Sequence, residues 1–150
     1  RLELADRVVL HGAISRPHEA LATMDVLVLP SAAEGFGIVL IEAMAAGVPV
    51  IGTDVAGIRD VILDGVTGLL VPPINPPALA AAIGRVLADA TLRSALIAAG
   101  RAHVHRHYTW DAVMPLYERM LGLSAQASCG AVLQSAVPRN KLEACATASP

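Results

Sequence analysis

The 150-residue chain has little charge: 16% of its residues are Asp, Glu, Lys or Arg, and its formal net charge is −2. That balance offers no electrostatic footprint for nucleic acid, and none for an anionic membrane. With 55% apolar residues the low charge does not signal disorder, and a folded core is expected over most of the length. Cysteine is scarce, with Cys129 and Cys145 both near the C-terminus, so no disulfide framework is expected and a reducing, cytoplasmic setting is. No apolar run is long enough for a membrane span. The richest window, Phe36 to Thr53, is broken by Glu42 and by Gly47-Val48-Pro49, and reads as a core helix followed by a strand. There is no initiator Met and no secretory leader, and Arg1-Leu2-Glu3-Leu4 reads as the middle of a helix, so a piece of a longer protein is expected. Internal repeats are absent as well.

What is present is an alternation of two patterns. Val8–Leu10, Val26–Leu29, Pro49–Gly52 and Gly68–Val71 are short continuous apolar runs, as strands buried on both faces of a parallel sheet require. Between and after them, helices are predicted over Pro17–Met24, Gly37–Ala46, Ile58–Leu63, Pro76–Leu87 behind an Asn75 cap, Ala90–Arg106 and Trp110–Leu121. Asp64-Gly65 and Thr67-Gly68 mark a tight turn into the last strand. The predicted class is α/β, a partial Rossmann-like parallel sheet with flanking helices. A doubly wound sheet has five or six strands and four are predicted, so a unit cut on its N-terminal side is expected. One domain is expected over residues 1–123, followed by a loose Ala/Ser-rich tail over 124–150.

The stretch PSAAEGFGIVLIEAMAAGVPV, Pro30 to Val50, raises a chemical question, because Glu34 and Glu42 stand among Gly, Ala and aliphatic residues. Burying an unpaired carboxylate costs several kcal/mol, so Glu42 must reach solvent, pair with a cation, or serve a ligand's hydroxyl groups. The helix around it is apolar on every face and offers no polar stripe. Strand, loop and helix in this order place Ser31–Gly37 at the carboxyl end of a strand, where open α/β sheets bind ligands. Gly35 and Gly37 allow close backbone approach, and the free amides and dipole of a helix start favour an anion such as a diphosphate. Each glutamate is then suited to accept from sugar hydroxyls on either side of it. The bland alternative is a glycine turn followed by a helix whose glutamate is simply solvated.

These residues also carry a resemblance. Pro30-Ser31-x-x-Glu34-Gly35-Phe36-Gly37, followed by Glu42-Ala43-Met44-Ala45-Ala46-Gly47-Val48-Pro49-Val50, resembles the E-x7-E signature of retaining GT-B glycosyltransferases of the family-4 type, the glycosyltransferase group 1 proteins. Val8–Gly12, Met24–Pro30, Thr53–Gly57, Asp64–Pro72 and Tyr108-Thr109-Trp110 are similar to further segments of that family. The resemblance runs from Asp6 to about Met120 and departs from the usual pattern at Ala56 and Asp60. It implies the C-terminal, nucleotide-sugar-binding half of a GT-B enzyme that moves a sugar from a nucleoside diphosphate donor to an acceptor. Glu34 would be the catalytic residue facing the donor sugar. Gly35, Phe36, Gly37, Ile38 and Val39 would receive the diphosphate, and Glu42 would hold the ribose. The nucleotide sugar is a substrate, and neither cofactor nor metal is implied. The partner implied is an N-terminal Rossmann domain outside this chain, which would supply the acceptor wall and any peripheral membrane association. Without it the chain is expected to be inactive. A non-catalytic nucleotide-binding module and an inactive fragment are the alternatives.

Other candidates are weaker. His103 and His107 share a helix face at the spacing zinc ligands use, but no Glu or Cys completes a set. His11 and Arg59 are placed near the ligand edge, and Trp110 is expected to anchor a helix.

Overall fold

Three of the apolar runs form strands: β1 (Leu27–Leu29), β2 (Val50–Thr53) and β3 (Leu69–Val71). A computed structural model of the chain describes Leu4 and residues 6–123. The strands are parallel in the order β1-β2-β3, with Val28 opposite Ile51 and Ile51 opposite Leu69. All four residues of β2 are buried, which is why its pattern is continuously apolar rather than alternating. The predicted α/β class is therefore the observed one.

The fourth predicted strand does not form. Val8, Val9 and Leu10 are 52%, 73% and 92% exposed and lie in irregular backbone. Apolar composition gives a segment the propensity for a strand, but a strand forms only where another offers it a ladder. Among the described residues no strand pairs with Val8–Leu10, and the Val8 N–H donates instead to the Leu4 carbonyl at 3.0 Å.

The helices follow the prediction closely. They are α1 (Pro17–Leu21), α2 (Ile38–Ala46), α3 (Ala56–Arg59), α4 (Pro76–Ala88), α5 (Ala90–His107) and α6 (Trp110–Met120). α1 stops short of the predicted Met24, and α3 begins earlier than Ile58 and ends before Leu63. Asn75, which caps α4, accepts from Ala78 N–H at 3.1 Å, and Asp89, which caps α5, accepts from Leu92 N–H at 2.9 Å. α2 ends at Gly47, left-handed at φ 83°, where the Arg101 guanidinium donates to the Ala46 carbonyl at 3.0 Å.

Helices cover both faces of the sheet. On one face Leu40, Ala43 and Met44 of α2 meet Val50, Ile58, Val61, Ile62 and Val104, with Leu21 of α1 beside them. On the other, Ile51, Leu69 and Val71 meet Val86 of α4 and Leu96 of α5. Adjacent residues Val50 and Ile51 thus point into opposite clusters, as the pleat requires. α5, 18 residues long, contributes to both.

The chain divides into two compact units, Arg1–Tyr108 and Thr109–Pro150. In the second, α6 is capped by Thr109, whose hydroxyl accepts from Ala112 N–H, and buries none of its residues. Trp110, expected as a packing anchor, is 78% exposed. The expected loose tail from residue 124, with Cys129 and Cys145, lies outside the described residues. Among the described residues no helix is long and apolar enough to cross a membrane.

Leu40 is fully buried where α2 meets the sheet. Leu40→Ala is expected to cost about 2–5 kcal/mol, through lost transfer energy and the cavity left behind. Chemical denaturation checks this, and a loss below about 1 kcal/mol would contradict the packing described.

Candidate functional site

The loop Pro30–Gly37 leaves the carboxyl end of β1 and turns into α2. The turn is made by Gly37, left-handed at φ 69° and ψ 47°, a region that a residue with a Cβ enters only at a cost. A Cβ there would also stand 3.0 Å from Leu40 Cδ1. Because the residue before α2 has no side chain, nothing caps the helix, and its first turn contains no acidic residue. The amides of Ile38 and Val39 lack intrahelical acceptors by their position, whereas α4, α5 and α6 are each capped by a side chain. α2 therefore presents uncapped N–H groups and the positive end of its dipole at the ligand edge of the sheet.

Glu34 stands half-buried at the mouth of this turn. Its Oε1 accepts from Gly35 N–H at 2.9 Å and its Oε2 from the Ser31 hydroxyl at 3.3 Å. Each oxygen keeps a lone pair for a further donor. The Gly35 amide is committed to Glu34, so an anion bound there must displace that bond. The loop is fastened behind by Thr53 at the end of β2, 4% exposed, whose hydroxyl donates to the Ser31 carbonyl. Helix α3 leans on it as well. A Cβ added to Gly57 would sit 2.5 Å from the carbonyl carbon and oxygen of Gly35, and nearer still to the Glu34 carbonyl. Only glycine allows that backbone-to-backbone approach.

Glu42 lies on the solvent side of α2. Leu40, Ala43 and Met44 face the core, while Ile38, Glu42 and Ala45 form an exposed stripe at i, i+4 and i+7. Among the described residues the Glu42 carboxylate has neither an ion pair nor a hydrogen bond. Of the three ways to accommodate its charge, solvent exposure is the one adopted. The carboxylate borders a concavity of about 350 Å³ whose other walls are Pro17, His18 and Leu21 of α1 with Ala45 and Ala46. Sequence reasoning named Glu42 but not this α1 wall, because nothing local ties α1 to α2.

The remaining candidates sort by geometry. His11 is exposed in the segment before α1. Arg59 pairs with Asp54 at 2.7 Å, which commits its charge there, and the carboxylate holds its pKa above the ordinary value. The His103 and His107 rings lie 4.8 Å apart, and among the described residues no group of three His, Cys, Asp or Glu is placed to hold a metal. Burial, with His107 and Arg106 adding to it, lowers the His103 pKa. Phe36 at the tip of the loop meets the Tyr108 ring edge-on at 6.0 Å. That contact joins distant parts of the chain and leaves no sequence signal.

Comparison with known proteins identifies the family. The chain is 40% identical over 125 residues to D-inositol 3-phosphate glycosyltransferase of Xylanimonas cellulosilytica, covering 82% of this chain and 29% of that protein. Sucrose-phosphate synthase from Thermosynechococcus elongatus superposes with a TM-score of 0.71 at 40% identity, over 81% of this chain and 32% of that one. HepE of Anabaena, solved in complex with UDP and glucose, superposes with a TM-score of 0.75 at 25% identity, over 79% of this chain and 33% of that one. The chain thus spans about a third or less of the length of each of these relatives. Residues 1–103 match the model of one family, and with these likenesses they establish that the chain belongs to the glycosyl transferases group 1 family, whose relatives here have the GT-B fold.

Proposed function

We propose that this chain is the donor-binding part of a retaining glycosyltransferase that takes its sugar from a nucleoside diphosphate. The observation that carries the reading is the uncapped N-terminus of α2 at the carboxyl end of β1, with Glu34 before it and Glu42 within it. A diphosphate on the amides of Gly35 to Val39 would be met by the helix dipole as negative charge builds on the leaving group, the point at which preorganised dipoles contribute most to rate. Ile38 and Phe36 lie exposed around the turn and would shield those contacts from water. That related structures hold UDP, UDP-glucose, or UDP with glucose supports a nucleotide sugar as the ligand.

In this reading Glu42 accepts both ribose hydroxyls, and the nucleoside lies toward the α1 wall of the concavity. Glu34, released from the Gly35 amide by the diphosphate and still held by Ser31, turns its free lone pairs to the transferred sugar. As the catalytic residue it orients the sugar while the bond to the diphosphate breaks. The acceptor stands on a second wall supplied by another α/β domain, so this chain by itself binds donor without turning it over.

Two substitutions separate the roles. Glu42→Ala is expected to weaken binding of the free nucleoside diphosphate by about 1–3 kcal/mol, since a charge-assisted pair is lost, while an exposed position in an apolar helix leaves the melting temperature unchanged. Calorimetry with UDP, GDP and ADP measures it, and unchanged affinity would refute the ribose assignment. Glu34→Ala is expected to spare the free diphosphate and weaken the matching nucleotide sugar. Equal losses for both ligands would place Glu34 elsewhere.

A further inference from the structure

The loop that carries Glu34 has two side-chain bonds of its own, both to that carboxylate, from the Gly35 N–H and the Ser31 hydroxyl. Gly35 and Gly37 make its backbone permissive, and Gly35 and Phe36 are exposed. Contacts from outside restrict it. The backbone of α3 at Gly57 fills the space behind Glu34 and Gly35. In front, the Phe36 ring meets Tyr108 at a centroid distance of 6.0 Å and an interplanar angle of 72°, the edge-to-face arrangement that aromatic quadrupoles prefer.

These two restraints share one residue. The Tyr108 hydroxyl donates to the carbonyl of Asp60 at 3.2 Å, and Asp60 is the C-cap of α3. One side chain therefore touches the loop and also ties down the helix on which the loop rests. Tyr108 is itself well anchored. It caps α5, its N–H donates to the Val104 carbonyl at 2.8 Å, and its ring packs edge-on against His103 at 5.5 Å. Val104 is buried in the cluster beneath α2.

We propose that Tyr108 is a positioning residue for the donor loop, acting through Phe36 on one side and through the end of α3 on the other. The inference rests on the donor-site reading above. A loop that samples several shapes binds with an affinity reduced by the fraction in the competent one. Tyr108 raises that fraction without touching the ligand.

The test is a set of variants titrated by calorimetry, well below their melting temperatures, with UDP-glucose, GDP-mannose and ADP-glucose and with the three free diphosphates. For whichever ligand the unmodified chain binds, Tyr108→Leu is expected to raise Kd about fivefold. Phe36→Leu should have a similar effect, and the double variant should be no worse than Tyr108→Leu alone. Tyr108→Phe, which keeps the ring and loses the Asp60 bond, should give a smaller rise. Leu96→Ala, in the core cluster on the other face of the sheet, controls for stability: it should lower the melting temperature at least as far as Tyr108→Leu does and leave Kd unchanged. An unchanged Kd in Tyr108→Leu, additive effects in the double variant, or a Leu96→Ala variant that loses affinity equally would overturn the positioning role alone. Failure of the unmodified chain to bind any of the six ligands would overturn the donor-site reading, and this inference with it.

Discussion

The structure depends on the complete burial of β2. Val50 and Ile51 sit side by side in sequence and point into opposite apolar clusters, so the strand requires helices on both faces. At roughly 25 cal/mol for each Å² of apolar surface removed from water, such burial is the main term opposing the entropy of ordering the chain. It also fixes direction. With all strands parallel, every loop leaving a carboxyl end emerges on one edge, and Pro30–Gly37, Asp54–Val55 and Pro72–Asn75 gather there.

On that edge the protein gives up local stability to keep groups available. A side chain at the start of α2 would satisfy an amide and block the approach of an anion, and Gly37 provides none. A cation beside Glu42 would neutralise it, and among the described residues there is none. The cost is offset from behind: Thr53 bonds the Ser31 carbonyl, and Gly57 lets α3 touch the loop backbone directly. The start of α2 and the Glu42 carboxylate thus carry groups without intrachain partners beside a supported loop, and the proposed donor site rests on that arrangement.

Much of this was legible in the sequence, and for identifiable reasons. The continuous apolar runs at Val26–Leu29, Pro49–Gly52 and Gly68–Val71 announced buried parallel strands, and Asn75 before two prolines announced the start of α4. The Glu34 and Glu42 spacing stood out because the helix between Gly37 and Gly47 is otherwise apolar. Other features were not legible. Val8–Leu10 has the composition of a strand, but pairing depends on what lies beside it, which composition does not encode. The exposed stripe Ile38–Glu42–Ala45 could not be told from the buried one, since every side of α2 reads as apolar. The bond from Tyr108 to Asp60 and the ring contact with Phe36 bridge long separations and follow from the fold alone.

The central claim is that the open end of α2 receives the diphosphate of a nucleotide and that Glu42 receives its ribose. A crystal structure of the chain with bound nucleoside diphosphate tests it most directly. The account predicts phosphate oxygens within hydrogen-bonding distance of the amides at the start of α2 and both ribose hydroxyls on the Glu42 carboxylate. A nucleotide seated instead in the apolar hollow among Pro30, Ile74 and Leu79, with Glu42 still facing water, would contradict it.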